Sequence, residues 1–345
     1  MKISKLIIVL GALISAFVSI TANASDTINL GGYTLNATYA LNSLNGTAGG
    51  ISGLEASAVT YARDRQSLFY VGDEGTGVVE ISLTGQYIGN NLFNWAGTGS
   101  TKRDSEGLTY LGGGVLVLAE ERLQDAYRFN YVAGGTVTLA NSFVSTSNIP
   151  VGNNGIEGIS YDPRDGSFVT IKQQSPQDVR AGTLTFAAAS GVPPLTTGDG
   201  STPPGGGIST MATLFNPSLM GLTTLSDVQT LSPVDALAGT AAADNLLVLS
   251  LGSRKLIEVT RTGVVKSSFD LSTILPNNAI EGVTVDEFGT IYIVAEQIQD
   301  GVIPMNPKSQ LIVLTAAVPE PETTAMLLAG LSFIGFEARR KSKQN

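Results

Sequence analysis

One short pattern recurs five times along the chain, an acidic residue followed by a brief β-type stretch. The copies are Gly53-Leu54-Glu55-Ala56-Ser57-Ala58-Val59, Ser105-Glu106-Gly107-Leu108-Thr109-Tyr110, Ile156-Glu157-Gly158-Ile159-Ser160-Tyr161, Leu225-Ser226-Asp227-Val228-Gln229-Thr230 and Ile280-Glu281-Gly282-Val283-Thr284-Val285. Their acidic positions stand 51, 51, 70 and 54 residues apart. After each comes a turn and a strongly apolar second strand, over 67–72, 114–120, 167–172, 245–250 and 290–296. Turns such as Asp162-Pro163-Arg164-Asp165-Gly166 carry hairpin chemistry. Third strands follow at 77–83, 125–130 and 255–260, and a fourth closes the unit at 264–271. Four strands repeated at this period predict an all-β propeller whose innermost strands line a channel. Five copies predict five blades, with six as the alternative. The last unit lacks a fourth strand, and the unpartnered stretch 27–40 is expected to supply it and close the ring. The long interval holds a Pro/Gly/Thr-rich insert at 187–207, expected to be a flexible surface loop.

The chain has no histidine and no cysteine. That excludes Ser-His-Asp and Cys-His catalysis, His-ligated metals and disulfides. Any chemistry must run on carboxylates, hydroxyls, Lys, Arg, Tyr or a hard metal ion.

The two ends have their own character. Lys2 and Lys5, the apolar run 6–20 and the small residues Ala22 and Ala24 form a secretory signal peptide, residues 1–24, for signal peptidase to cut after Ala24. The C-terminus reads Pro319-Glu320-Pro321, an apolar stretch over 325–336, then Arg339-Arg340. Twelve apolar residues fall short of the roughly 20 that span a bilayer. A plain anchor is the alternative, but motif, short helix and basic end in that order resemble the PEP-CTERM sorting signal. The resemblance implies a tail, 319–345, that pauses in the inner membrane until an exosortase-type membrane protease removes it. The product would go to the cell envelope or the extracellular space. Removing the six basic and three acidic residues of the two ends leaves a domain, 25–318, with 14 basic against 26 acidic residues. Such a surface repels nucleic acid and favours cations.

The middle also resembles a family. Asp104 to Tyr110 with Val115 to Arg122, Gly155 to Asp162, Asn245 to Ser250 with Arg254, and Ala279 to Val283 with Ile291 to Glu296 look like the SdiA-regulated (YjiK-like) propellers over about residues 45–316. More distantly the pattern is similar to esterase-like phytase domains. Relatives tend to keep a Lys-Glu pair where this chain has Lys172-Gln173-Gln174. The resemblance implies fold more than activity.

If each repeat begins an innermost strand, Glu55, Glu106, Glu157, Asp227 and Glu281 face one mouth of the channel. Asp73, Glu74, Glu120, Glu121 and Glu296 could form a second tier. Crowded carboxylates persist when protonated, hydrogen-bonded, hydrated or holding a cation. Three readings stay open. The acids cap backbone amides of neighbouring blades; or they bind Ca²⁺ or Mg²⁺, which prefer oxygen; or a bound Ca²⁺ serves a phosphoesterase, with Arg122 and Lys172, and also Lys102 or Arg103, contacting phosphate. In the non-enzymatic case the protein is a binding or structural module of the surface, with exopolysaccharide or biofilm as partner. Trp95, the single tryptophan, is expected to pack between blades.

Overall fold

The computed structural model describes residues 26–41, 51, 55–147, 151–191, 201–276, 278–296 and 308–317. The expected signal peptide with Ala22 and Ala24, and the tail with Pro319, Glu320, Pro321, Arg339 and Arg340, lie outside the described residues. Among the described residues no helix is long and apolar enough to cross a membrane.

Five antiparallel sheets stand around one axis. The first blade runs Ala56–Ala62, Ser67–Gly72, Gly77–Ile81 and Tyr87–Asn94, with Gly135–Thr138 added in parallel at its outer edge. The second runs Ser105–Gly112, Val115–Glu120, Asp125–Asn130 and Phe143–Ser145. The third runs Ile156–Asp162, Ser167–Lys172, Asp178–Gly182 and Ala212–Phe215. The fourth runs Leu225–Thr230, Leu246–Ser250, Lys255–Val259 and Val265–Asp270. The fifth runs Ile280–Val285, Ile291–Ala295 and Gln310–Ala316, and takes Tyr33–Ala40 as its outermost strand. The chain therefore forms a five-bladed propeller closed by its N-terminal strand. Tyr33 pairs with Ala316 and Ala40 with Gln310 in an antiparallel ladder. Just upstream, the buried Glu258 carboxylate accepts hydrogen bonds from the Ile28 amide at 3.1 Å and from Thr27, Asn245 and Ser267 side chains, tying the N-terminal segment to the fourth blade.

The second strands are apolar throughout because both faces of a blade are covered by neighbours. In Leu246–Ser250, Leu247 and Leu249 pack toward the fifth blade while Leu246 and Val248 pack toward the third. The core accordingly divides into five apolar clusters, one at each seam between blades. Trp95 lies in the seam of the first and second blades, edge-on to Phe93 at 5.9 Å and to Tyr127 at 5.7 Å.

A ring of side chains also ties the inner strands. Thr60 Oγ1 accepts from the Tyr110 amide, Thr109 Oγ1 from Tyr161, Ser160 Oγ from Thr230 and Thr284 Oγ1 from Tyr61, each at 3.0 Å. Gln229 completes the circuit by accepting from Thr284 Oγ1 at 3.2 Å. Each buried hydroxyl thus meets a neighbouring blade's amide, which ladder bonding alone would leave unpaired at the seam.

The insert departs from a plain loop at its two ends. Leu184–Thr185 pairs with Ile208–Ser209, and Ala187 and Gly207 both bond the backbone of Phe143 in the second blade. Residues 192–200 lie outside the described residues.

Candidate functional site

Every inner strand carries a β-bulge at the same place. The bulged residues are Ser57, Glu106, Glu157, Ser226 and Glu281. A bulge leaves one residue unpaired and re-aims its side chain. The residue after it lies flat against the next blade. A Cβ on Gly158 would come 2.8 Å from Asp227 Cα, and one on Gly282 2.8 Å from Ala58 Cα. The recurring Glu-Gly pair is thus a bulged acid followed by a residue with no room for a side chain.

This register corrects two of the five ring positions. Asp227 stands at the glycine position, and Ser226 takes the bulge. The Asp227 carboxylate turns into the seam, where it accepts from the Val228 amide and from Val283 of the fifth blade, both at 2.7 Å. Burial pushes its pKa well above the usual carboxylate range, with the two amide bonds pulling the other way. Asp227 is therefore an inter-blade strut. Glu55 precedes the first inner strand by one residue, and Ser57 is bulged; Glu55 still lies close enough to Glu296 to raise it. The ring at the bulge is three glutamates and two serines. A one-residue slip in a strand moves a side chain to the other face, and five linear repeats cannot reveal it.

The second tier is also uneven. Residues just past the second strands are Asp73, Glu121, Gln173, Leu251 and Glu296 in chain order. Glu74 is exposed. Glu120 is buried in its own turn, accepting from Ser100 Oγ and the Leu123 amide at 2.7 Å each. Sequence reasoning missed Asp104, a buried residue one step before the second inner strand. The usable signal was an acid pair flanking Ser105, which only this blade has.

Carboxylate oxygens of Asp73, Asp104 and Glu106 lie within 4.8 Å of one another, across the seam of the first two blades. Glu121 and Glu157 extend this group of mutually interacting carboxyls from Asp73 and Asp104. Buried carboxyls this crowded favour their protonated forms. Burial, then Asp104, pushes Asp73 up to about 7. Burial, then the charges of Glu55 and Asp73, pushes Glu296 up to about 8. Glu106, Glu157 and Glu281 rise well above the usual range, through burial first and neighbouring carboxylates second. Asp73 Oδ1 is buried without a hydrogen-bond partner among the described residues.

Arg122 forms an ion pair with Asp104 and donates to Asn153 Oδ1 at 2.5 Å. It thus stands within the cluster. Lys172 does not join it: its ammonium donates to the Gln174 and Pro176 carbonyls at 2.6 and 3.2 Å. Lys102 and Arg103 are exposed on the approach to Asp104. Arg254 faces Glu281 and donates to the Asn278 carbonyl at 3.1 Å. The fourth blade adds no free acid, since Ser226 Oγ donates to the Ile280 carbonyl at 3.0 Å. The mouth is lopsided, with its acids gathered on the first, second, third and fifth blades.

The SdiA-regulated family profile matches residues 38–297, spanning all five inner strands. The chain belongs to the SdiA-regulated family. The PEP-CTERM protein-sorting motif matches residues 317–341, and it implies export to the cell envelope and processing by an exosortase-type system. Among solved structures, a luciferin-regenerating enzyme is 9% identical with a TM-score of 0.45, covering 81% of this chain and 95% of that one. The glutaminyl cyclase of Myxococcus xanthus is 12% identical with a TM-score of 0.48, covering 82% and 95%. The propeller assignment for this SdiA-regulated protein rests on its own strand pairing, not on these likenesses.

Proposed function

We propose that this exported propeller binds a divalent cation, Ca²⁺ before Mg²⁺, at its acidic mouth and uses it to hold an anionic or hydroxylated ligand at the cell surface. The observation that carries the reading is the Asp73–Asp104–Glu106 group, three oxygens within 4.8 Å of one another on two blades, with Asp73 Oδ1 unpartnered. The donors are all hard carboxylate oxygens. Ca²⁺ accepts 6–8 such ligands in flexible geometry, at roughly 2.3–2.6 Å. Three protein carboxylates would leave positions for water and ligand oxygens. The ion would displace the protons the acids hold and relieve their repulsion. Arg122 would sit beside the ion as a second anchor for an anionic group.

The export signals complete the reading. The signal peptide would be removed after Ala24, and the tail would tether the propeller to the inner membrane until an exosortase-type protease releases it. The product would serve in the envelope or the extracellular matrix, where exopolysaccharide is the expected partner. A second reading draws on the lopsided placement of the acids with Arg122. Active sites break symmetry, and a Ca²⁺ held there could polarise a phosphate ester and activate water. Differential scanning fluorimetry in EGTA and in millimolar Ca²⁺ tests the cation site, and an unchanged melting temperature refutes it. Assays on phosphomonoesters and phytate with added Ca²⁺ test the second reading, and no turnover above background removes it.

A further inference from the structure

The other mouth of the channel, where the inner strands end, encloses a cavity of about 680 Å³. That is within the range of small-ligand sites, roughly 300–1,000 Å³. The side-chain ring that ties the blades supplies Thr60, Thr109, Gln229 and Thr284 to its lining. Tyr61, Tyr110 and Tyr161, at one position of three inner strands, also line it. Each ring is braced from behind: Tyr61 by Tyr292 at 6.5 Å, Tyr110 by Phe69 at 5.8 Å and Tyr161 by Phe168 at 5.2 Å. Their positions are set before any ligand arrives, which lowers the cost of binding.

A strap crosses the rim. The fourth blade joins its first two strands through residues 231–245, while the other blades use short turns. On this connection Asp235 donates its amide to the Glu287 carbonyl at 2.9 Å and accepts two hydrogen bonds from Arg63 at 2.8 and 2.7 Å. Arg63 follows the inner strand of the first blade, so the ion pair links the first and fourth blades along the rim of the fifth, whose Glu287 bonds both Asp235 and Gln66.

The lining decides the ligand class. Its charged members are Arg63, already paired, and the acids Asp64, Asp235 and Glu287. An anion finds no free cation there. A metal ion finds no three carboxylates converging there among the described residues, since Asp235 is held by Arg63 and Glu287 Oε1 by Gln66 at 3.0 Å, leaving only Glu287 Oε2 buried without a partner. What remains is a mostly apolar, tyrosine-walled cavity with fixed hydroxyls and carboxylates that retain acceptor capacity. Exposed Asp64 accepts from the Gly113 amide at Oδ2, 3.1 Å away. Aromatic surface against C–H groups, beside carboxylates that accept adjacent hydroxyls, fits an uncharged, polyhydroxylated ring. We infer that the second mouth binds a neutral sugar unit. It shares no residue with the proposed cation site and stands or falls separately.

Saturation-transfer NMR of the full mature protein tests this, with glucose, galactose, mannose, N-acetylglucosamine, cellobiose and chitobiose as probes and glucose 6-phosphate as the charged control. The expected result is transfer to at least one neutral sugar, unaffected by EGTA, with the phosphate weaker. Tyr161→Ala, at a half-buried position, and Asp64→Ala, at an exposed one, should each weaken that sugar by about tenfold. Their far-UV circular dichroism and cooperative melting should stay close to the parent's, which shows that they are folded. Three results overturn the inference: no transfer to any neutral sugar, equal transfer in the folded Tyr161→Ala and Asp64→Ala proteins, or transfer abolished by Asp73→Asn at the opposite mouth.

Discussion

Asp73→Asn should make the metal-free protein more stable and the Ca²⁺-loaded protein less so. In the folded state Asp73 titrates at about 7, against an ordinary 3.8. A folded pKa above the unfolded one means that the stability linked to the bound proton is complete at acid pH. It drains away as pH rises from about 4 and is gone above about 7. Three units at about 1.4 kcal/mol each set a ceiling of roughly 4 kcal/mol. Solvent access to the mouth screens part of this, so about 2 kcal/mol is the working figure. Asparagine keeps the shape of the protonated acid and cannot ionise. It should therefore recover that amount at about pH 8.5 in EGTA, or ~4 °C in melting temperature for a domain of this size. The Asp73 amide bond to Ser57 Oγ at 3.0 Å is untouched by the change. With Ca²⁺ at a hundred times its Kd, the parent gains about 2.7 kcal/mol, and the variant loses most of that gain. The order of the two proteins should then reverse between EGTA and Ca²⁺, read by scanning fluorimetry in the two buffers. If Asp73→Asn is the less stable protein in EGTA at alkaline pH, the mouth is not held under carboxylate repulsion. If Ca²⁺ raises both equally, Asp73 is not a ligand.

Other outcomes follow from the same geometry. Ca²⁺ binding near neutral pH should release protons, because Asp73 and Glu296 sit at about 7 and about 8 without the ion. Calorimetry in buffers of differing ionisation enthalpy should show this, with affinity falling as pH drops from about 8.5 to 6. Gly158→Ala should lower the urea midpoint by the equivalent of about 3 kcal/mol, since its methyl meets backbone of the fourth blade and displaces the Asp227 strut. A cost under about 0.5 kcal/mol would show that the seam has slack. Thr284→Val removes the acceptor of the Tyr61 amide and the donor to Gln229, so it should cost about 2 kcal/mol in equilibrium unfolding. Lys172→Ala should leave Ca²⁺ affinity within about twofold, because its ammonium is committed to its own loop.

Much of this was legible in the amino-acid sequence. The repeat of acid, turn and apolar strand reports the blade period because hairpin turns and doubly covered strands have strong local signatures. The partner of the N-terminal strand was legible too, since the fifth unit lacked a strand that 27–40 had the composition to supply. The sorting motif is a linear address and needs no fold to be read. The absence of histidine and cysteine narrowed the chemistry at once to hard oxygen donors.

The site itself was decided by the tertiary structure. In the linear pattern Glu55 and Asp227 look equivalent to Glu106, yet the bulge falls on Ser57 and Ser226. One residue of register separates a channel-facing carboxylate from an inter-blade strut, because strand side chains alternate faces. Asp104 became a site residue only because its blade brings it to Asp73, thirty-one positions earlier in the chain. Lys172 looked equal to Arg122 in the sequence and is spent on two carbonyls of its own loop. Sequence periodicity determines that five sheets form and in what order. Which atoms meet within a few ångströms depends on how the sheets close around a common axis, and closure sums contacts from blades that are remote in the chain.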